Sequence, residues 1–127
     1  MNSRIIAVAV DCHDAQSLAQ FWCEALDYPS TRQWNDAYGR TYLEANRPGF
    51  PALLFQPVAE EKAAKNRLHL DIAPSSRTQD AEVQRLLALG ARLLSNDSRV
   101  PWVVLADPEG NEFCVLPPHP VGDDAGG

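Results

Sequence analysis

Residues 104–116 read VLADPEGNEFCVL, and this stretch decides the fold. Its centre, DPEGN at 107–111, combines Asp, Pro, Gly and Asn, the residue types that favour tight turns. Apolar residues on both sides of the turn predict two strands, near 100–106 and 111–116. The chain is therefore expected to contain a pair of turn-linked strands close to its C-terminal end.

The residues before this pair of strands are predicted to form a strand, a helix and a further strand. Residues 67–73 alternate polar and apolar side chains, which predicts a strand. Ser76 and Gln79 have the spacing of a helix capping box, and Gly90 is placed to end that helix. A further strand is predicted near 91–95. This half of the chain therefore consists of a strand, a helix and three strands.

The first half of the chain has the same order of elements. A β-branched run at 5–10 predicts a buried strand, and Asp14 is placed to cap a helix. Three strand-like runs follow, about 30–36, 40–45 and 52–58. The apolar residues of the helix are spaced to share one face: Leu18, Phe21, Trp22, Ala25 and Leu26.

Recurrence of one pattern at about half the chain length indicates two similar modules. We predict an α+β domain over residues 1–117, with module one at about 4–58 and module two at about 67–117. Residues 59–66 are charged without apolar periodicity, which is typical of a linker or exposed loop. The segment 118–127 is rich in Pro, Gly and Asp and is expected to be a disordered tail.

The amino-acid composition limits the kinds of partner that the protein is expected to bind. The 127 residues include 11 Lys plus Arg and 17 Asp plus Glu, a net charge of -6. An acidic chain is a poor ligand for nucleic acid and for anionic lipid surfaces, so neither partner is expected. We see no apolar run near the ~20 residues of a membrane span and no signal peptide. Three widely spaced cysteines favour free thiols and a cytoplasmic location.

The sequence resembles the vicinal oxygen chelate superfamily, also called the glyoxalase, bleomycin-resistance and dioxygenase superfamily, and within it the small glyoxalase-like domain proteins. The resemblance spans roughly 4–117 and rests on DCHD at 11–14, FWCEAL at 21–26, a strand that opens at His69, and the stretch 104–116. It implies tandem βαβββ modules that form an eight-stranded, half-open barrel-like sheet with the helices outside. It also implies a ligand in the concave face and a homodimer.

The resemblance also assigns positions to metal ligands, because metal-using members place His, Gln or Glu on the first and last strand of each module. Those positions here are Ala7, Leu54, His69 and Cys114, and the first two have no donor atom. We therefore expect neither a resident metal nor another cofactor. A set of three ligands formed by His69, Glu112 and Cys114 remains the alternative.

Strand alternation places an unusually polar set of residues on the face opposite the helices. There, His69 beside Asp71 or Glu112 is a candidate general acid or base, since an imidazole exchanges protons at neutral pH. A purely structural polar network is the alternative interpretation. Arg67 is expected to pair with Glu112 or to meet an anionic ligand. Cys114 is interpreted as a packing residue rather than a nucleophile, because burial makes its thiolate costly.

Aromatic residues with a polar tip suit a pocket for a flat organic ligand, although ordinary sheet packing also accounts for them. The residues expected to contact a ligand are Trp34, Tyr42, Gln56, Arg67, Trp102 and Cys114.

These observations predict a protein that binds a small organic molecule in the concave sheet face. Catalysis, where present, is expected to be metal-independent acid–base chemistry of the lyase or isomerase type, with His69, Asp71 and Glu112 as catalytic residues. Two alternatives remain open. One is a non-catalytic protein that sequesters a drug or antibiotic. The other is a divalent-metal lyase or dioxygenase.

Overall fold

One order of elements, strand–helix–strand–strand–strand, occurs twice in the computed structural model, which describes residues 2–120. Module one comprises β1 (Ala7–Cys12), α1 (Ala15–Leu26), β2 (Ser30–Asn35), β3 (Thr41–Asn46) and β4 (Ala52–Pro57). Module two comprises β5 (Leu70–Ile72), α2 (Gln79–Leu89), β6 (Arg92–Ser95), β7 (Val103–Ala106) and β8 (Glu112–Val115). The predicted α+β fold of two βαβββ modules is confirmed.

The modules are two compact units, the first ending at Glu61 and the second beginning at Lys62. In module one the strand order is β1-β4-β3-β2, with β1 parallel to β4 and the other pairs antiparallel. Asp14 caps α1 as predicted, because its carboxylate accepts a hydrogen bond from the Ser17 backbone N–H at 3.2 Å. The helix buries Leu18 and Trp22 at its contact with β3 and β4.

Module two repeats this order, with the strands arranged β5-β8-β7-β6 and β5 parallel to β8. The helix α2 is capped by Thr78 rather than by the predicted Ser76, since the Thr78 hydroxyl accepts from the Ala81 backbone N–H at 3.1 Å. Gly90 ends the helix with φ 123°, as expected from its freedom in that region. Leu86 and Phe113 are fully buried between helix and sheet.

The strand predicted at 67–73 is the largest departure from the sequence-based expectation. It extends only over Leu70–Ile72, and Leu68, an apolar residue within the predicted strand, is 89% exposed. The residues just before it are held elsewhere, because the Asn66 backbone N–H donates to Glu112 Oε1 at 3.1 Å. Side-chain alternation alone does not reveal that competing contact.

The predicted tail at 118–127 falls largely outside the described residues, since 121–127 are not among them. Within the described part, the His119 backbone N–H donates to the Pro74 carbonyl at 2.8 Å, which joins this end of the chain to the loop after β5. Between residues 2 and 120, we find no helix with the length and apolar character that a bilayer crossing requires.

Candidate functional site

The candidate site lies on the face of the second sheet that points away from α2. In the parallel pair β5–β8, Leu70 is opposite Phe113 and Asp71 is opposite Cys114. Successive side chains of a strand point to opposite faces. Because Phe113 is buried in the core, Asp71 and Cys114 point to the other face. The register of two short strands therefore brings a carboxylate and a thiol side by side.

His69 lies directly before β5 and joins this pair. Its Nε2 atom is 3.3 Å from Oδ1 of Asp71, and the imidazole is 39% exposed. One donor atom from each of His69, Asp71 and Cys114 can be chosen so that all lie within 4.8 Å of one another. The site thus brings together an imidazole, a carboxylate and a thiol, with the imidazole accessible from solvent.

The environment of the Cys114 thiol disfavours its ionised form. Burial raises its pKa, and the negative charge of Asp71 together with a hydrogen bond to that carboxylate raises it further. A nucleophilic cysteine needs the opposite environment, with nearby positive charge and a lowered pKa. The geometry therefore supports the interpretation of Cys114 as a neutral group of the site wall.

Glu112 begins β8 two residues before Cys114, but its carboxylate is engaged with other residues. Oε2 lies 3.0 Å from the Lys62 ammonium, and Oε1 accepts the Asn66 backbone N–H at 3.1 Å. Burial alone would raise the pKa of Glu112, yet these hydrogen bonds and the Lys62 charge lower it to about 2. The structure thus places Glu112 with Lys62 and Asn66, and it leaves Asp71 as the carboxylate beside His69.

Lys62 and Asn66 were missed by the sequence analysis, which interpreted residues 59–66 as a linker. Asn66 also donates from Nδ2 to Asn111 Oδ1 at 2.8 Å, so this segment is joined to both the 107–111 turn and β8. Charged residues without apolar periodicity carry no signal of such a contact. A polar contact of this kind can be recognised only when its partner, fifty residues away in the sequence, is known.

Two of the expected ligand-binding aromatics lie together in module one. Trp34 and Tyr42 are opposite each other on β2 and β3, and their rings stack with centroids 5.9 Å apart and an angle of 11°. The Arg32 guanidinium lies over the Trp34 ring at 4.7 Å and also pairs with Glu44 at 3.3 Å. These cross-strand contacts stabilise the sheet whether or not a ligand binds.

The remaining predicted ligand contacts are dispersed. Gln56, on β4, donates to Asp11 Oδ1 at 3.5 Å. Arg67 is exposed and lies two residues before His69, so it is near the second module's site in sequence. Trp102 precedes β7 and is 41% exposed. Of these three residues, Arg67 and Trp102 belong to the module that carries His69.

A groove on the helix side of module one was not predicted. It has a volume of about 600 Å³ and runs between α1 and β2. Its lining mixes polar and apolar groups, and the polar side chains include Gln20, Glu24, Asp27, Tyr28 and Gln33. Cys23 also lines it, and burial followed by the charge of Glu24 raises the pKa of that thiol. The outward-facing residues of an amphipathic helix give no sequence signal for such a groove.

The four positions that the sequence resemblance assigns to metal ligands do not together form a complete ligand set. Ala7 and Leu54 carry no ligand atom, so module one contributes nothing. In module two the residues brought together are His69, Asp71 and Cys114, and Asp71 stands outside the four assigned positions. The four positions that the resemblance assigns therefore do not supply the ligand set that it implies.

Comparisons with known proteins agree with this architecture. A family model described as a glyoxalase-like domain matches residues 7–116. No curated protein sequence matches the chain. Among solved structures, a mutant of the fosfomycin resistance protein FosX from Listeria monocytogenes, complexed with Mn(II) and 1S,2S-dihydroxypropylphosphonic acid, is 14% identical with a TM-score of 0.74. That match covers 91% of this chain and 93% of the other.

Two further solved structures show the same fold at similarly low identity. A glyoxalase/bleomycin resistance protein/dioxygenase family enzyme from Burkholderia phytofirmans PsJN is 17% identical with a TM-score of 0.66, over 89% of this chain and 97% of the other. The trypanothione-dependent glyoxalase I of Leishmania major is 14% identical with a TM-score of 0.67, over 91% and 87%. At this identity the likeness establishes the fold alone. Because the family model spans most of the sequence, the chain belongs to the glyoxalase-like domain family.

Proposed function

We propose that the protein binds a small polar organic molecule on the open face of the second sheet, where His69 exchanges a proton with it. The observation that carries this proposal is the His69–Asp71 pair, with Nε2 and Oδ1 3.3 Å apart and the imidazole partly open to solvent. An imidazole fixed by a carboxylate has one nitrogen left to meet a ligand. The pair therefore has the geometry of a general acid–base.

Asp71 acts in this proposal by orienting the imidazole. Its carboxylate fixes which ring nitrogen of His69 carries the proton. It also stabilises the imidazolium that forms when the ring accepts a second proton. General acid–base groups of this kind contribute roughly 10²- to 10⁴-fold to a rate. Proton exchange of this type requires no metal ion, which suits a chain without ligand atoms at positions 7 and 54.

The chemical class of the ligand is suggested by the fold and by the site together. The Listeria monocytogenes FosX structure holds a small dihydroxy phosphonic acid. In this chain, exposed Arg67 lies two residues before His69 and offers a cation for an anionic group. Trp102 supplies an exposed aromatic surface in the same module. We therefore propose small hydroxy acids, oxo acids and phosphonic acids as the class to test.

The test is a ligand screen followed by NMR spectroscopy. Isotope-labelled protein is titrated with a panel of such acids that includes 1S,2S-dihydroxypropylphosphonic acid. Binding at the proposed site shifts the resonances of His69, Asp71 and Cys114. Shifts confined to the α1–β2 groove, or an absence of binding across the panel, would overturn the assignment.

Catalysis is tested with the acids that bind. In His69→Gln, affinity stays within a few fold while conversion of the compound is lost, and His13→Gln serves as the exposed control in the other module. Unchanged conversion in His69→Gln contradicts the acid–base role. Tight binding with no change to any compound in the wild-type protein would favour the sequestering alternative.

A further inference from the structure

We propose that the groove between α1 and β2 of module one binds a small organic cation with a hydrocarbon chain, such as an alkylammonium ion. The charged group of this ligand lies beside Glu24 and Asp27, and its hydrocarbon chain lies over Ala19 and Leu43. The groove belongs to module one and to the helix side of its sheet. The inference is therefore independent of the function proposed for module two.

The groove exists because α1 leaves one strand of its sheet uncovered. The helix packs on β3 and β4, whereas β2 is the edge strand in the order β1-β4-β3-β2. Thr31 and Gln33 of β2 face the helix side, since Gln33 is opposite the buried Leu43. These polar side chains leave a groove of about 600 Å³ beside the helix. That volume lies within the range of sites that bind small organic ligands.

One stripe of side chains along α1 forms the helix wall of the groove. Their spacing of three or four residues places them on one side of the helix. The residues of this stripe are Gln16, Gln20, Cys23, Glu24 and Asp27. From residue 16 to residue 27, at a rise of about 1.5 Å per residue, the stripe is roughly 16 Å long. The carboxylates lie at its C-terminal end, so a linear ligand can lie along the helix with its charged group at that end.

The charge of the groove wall favours a cation. None of the residues that line the groove is Lys, Arg or His. The last turn of α1 also contains no basic residue, and the carboxyl end of a helix carries a partial negative charge. Burial raises the pKa of the Cys23 thiol, and the Glu24 charge raises it further. The negative potential therefore extends from the helix end to the middle of the stripe.

The folded chain already holds one cation next to the groove. Arg47 Nη1 donates to the Leu26 carbonyl oxygen at 3.0 Å, although Arg47 is not among the lining residues. Burial raises the pKa of the Tyr28 hydroxyl, and the Arg47 charge lowers it by less. The single charge of Arg47 does not balance the carboxylates of Glu24 and Asp27. A second positive group therefore still gains from binding beside them.

The rest of the lining accounts for the hydrocarbon part of the ligand. Ala19 and Leu43 are 3% and 7% exposed, and both border the groove, so they offer an apolar surface at its floor. The amide groups of Gln20 and Gln33 stand at its margins and can hydrogen-bond to water or to a polar group of the ligand. An organic anion would meet two carboxylates here. A cation that carries a hydrocarbon chain suits both the charge and the floor.

The test is an NMR titration of isotope-labelled, full-length protein with hexylammonium chloride. Two compounds of the same chain length, 1-hexanol and sodium hexanoate, serve as the neutral and anionic controls. Hexylammonium is expected to shift the amide resonances of Gln20, Cys23 and Gln33 at millimolar concentrations. Hexanol should bind roughly three- to tenfold more weakly, because it lacks the attraction to two partly screened carboxylates. Hexanoate should leave these resonances unchanged.

Two variants test the assignment of the charged end. Glu24→Gln and Asp27→Asn each remove one negative charge, and Asn readily adopts the left-handed conformation of Asp27, which has φ 56°. Each variant should weaken hexylammonium binding roughly two- to fivefold, and the double variant should weaken it more than either. Glu61→Gln makes the same charge change at an exposed position of module one outside the groove. Its affinity for hexylammonium should equal that of the wild-type protein.

Three results would overturn the proposal. The first is an absence of shifts in the groove resonances at millimolar hexylammonium. The second is hexanol binding as tight as hexylammonium binding, which would make the groove a site for neutral apolar molecules. The third is unchanged hexylammonium affinity in the double variant, with its fold verified from the spectrum of the free protein. The titration uses no organic acid as a ligand of module two, so its outcome leaves the proposed function of His69 untouched.

Discussion

The ammonium group of Lys62 lies 3.0 Å from Oε2 of Glu112, and the other carboxylate oxygen of Glu112 holds the Asn66 backbone N–H at 3.1 Å. One side chain at the start of β8 thus fixes both ends of the segment 62–66. Because this segment leads to His69 only three residues later, Glu112 acts on the candidate site through the chain that carries the imidazole. We therefore propose that Glu112 positions His69, and its assignment as a catalytic residue stays a prediction.

Glu112→Gln should release the segment 62–66 without unfolding the second sheet. The substitution removes the carboxylate charge and one of the two acceptor oxygens that bind Lys62 and Asn66. We expect a loss of about 1 to 2 kcal/mol in unfolding free energy. Hydrogen exchange followed by mass spectrometry should show faster exchange of the amides around Asn66. The same variant should broaden or shift the His69 ring resonances, which a change in stability alone does not do.

Glu61→Gln is the matched control, because Glu61 is exposed and adjoins the same segment. Its exchange rates should equal those of the wild-type protein. Equal protection of Asn66 in wild type and Glu112→Gln would contradict the anchoring role.

The low pKa of Glu112 predicts a defined acid sensitivity. Its pKa falls from 4.5 to about 2 on folding, so the folded state favours the charged form. This contribution to stability is fully present above the unfolded-state pKa near 4.5 and is lost as the pH falls toward 2. From the size of the shift, the contribution is at most about 3 kcal/mol.

Urea unfolding of wild type and Glu112→Gln at pH 6 and pH 3 measures this effect. The wild-type protein should lose more stability than the variant over that interval. Identical losses in the two proteins would show that other carboxylates account for the acid sensitivity.

Asp71 should control the reactivity of the Cys114 thiol. Burial raises the pKa of Cys114 first, and the charge and hydrogen bond of Asp71 raise it further. Asp71→Asn removes the charge, so the pKa of the thiol should fall and its alkylation at pH 8 should accelerate roughly two- to tenfold. The measurement is peptide mass spectrometry of iodoacetamide labelling at Cys114. Asp11→Asn, in module one, should leave the rate unchanged, and slower labelling in Asp71→Asn would refute the argument.

The 107–111 turn should be a source of stability rather than of function. Asp107 is 2% exposed, and its Oδ1 accepts the backbone N–H groups of Glu109 at 2.9 Å and Asn111 at 3.0 Å. Asp107→Ala leaves these donors without that partner, which should lower the unfolding free energy by about 2 to 3 kcal/mol. Asp80→Ala, at an exposed helix position, should cost less than 1 kcal/mol. Thermal unfolding of both variants measures the two losses of unfolding free energy. Equal losses would contradict the stabilising role of Asp107.

The order of elements and the turn were accessible from sequence because each depends on local chemistry. The DPEGN stretch specifies a tight turn, and the spacing around Leu18 and Trp22 specifies an amphipathic helix. The polar face that holds His69 and Asp71 also follows from strand alternation. These properties require no knowledge of distant residues.

The choice of carboxylate partner was not accessible in the same way. Both Asp71 and Glu112 lie on the polar face, and the alternation of side chains does not tell which of the two lies beside His69. The ranking comes from Lys62, which is fifty residues from Glu112 and reaches it only in the folded chain. β5 is also shorter than the local pattern predicted, since it covers only Leu70–Ile72 and not the residues from 67. Long-range polar contacts are thus the part of the site that sequence alone leaves undetermined.

Trp34 and Trp102 should differ in what they contribute to stability. Trp34 stacks on Tyr42 at 5.9 Å and is covered by the Arg32 guanidinium at 4.7 Å. Its replacement by Ala removes both contacts and should cost about 1 to 3 kcal/mol. Trp102 is 41% exposed, so Trp102→Ala should cost less than 1 kcal/mol while it weakens binding of an organic acid at the second-module site. Chemical unfolding and the NMR titration measure the two effects separately. A Trp102→Ala variant that is as unstable as Trp34→Ala and binds the acid normally would assign Trp102 to packing instead of ligand contact.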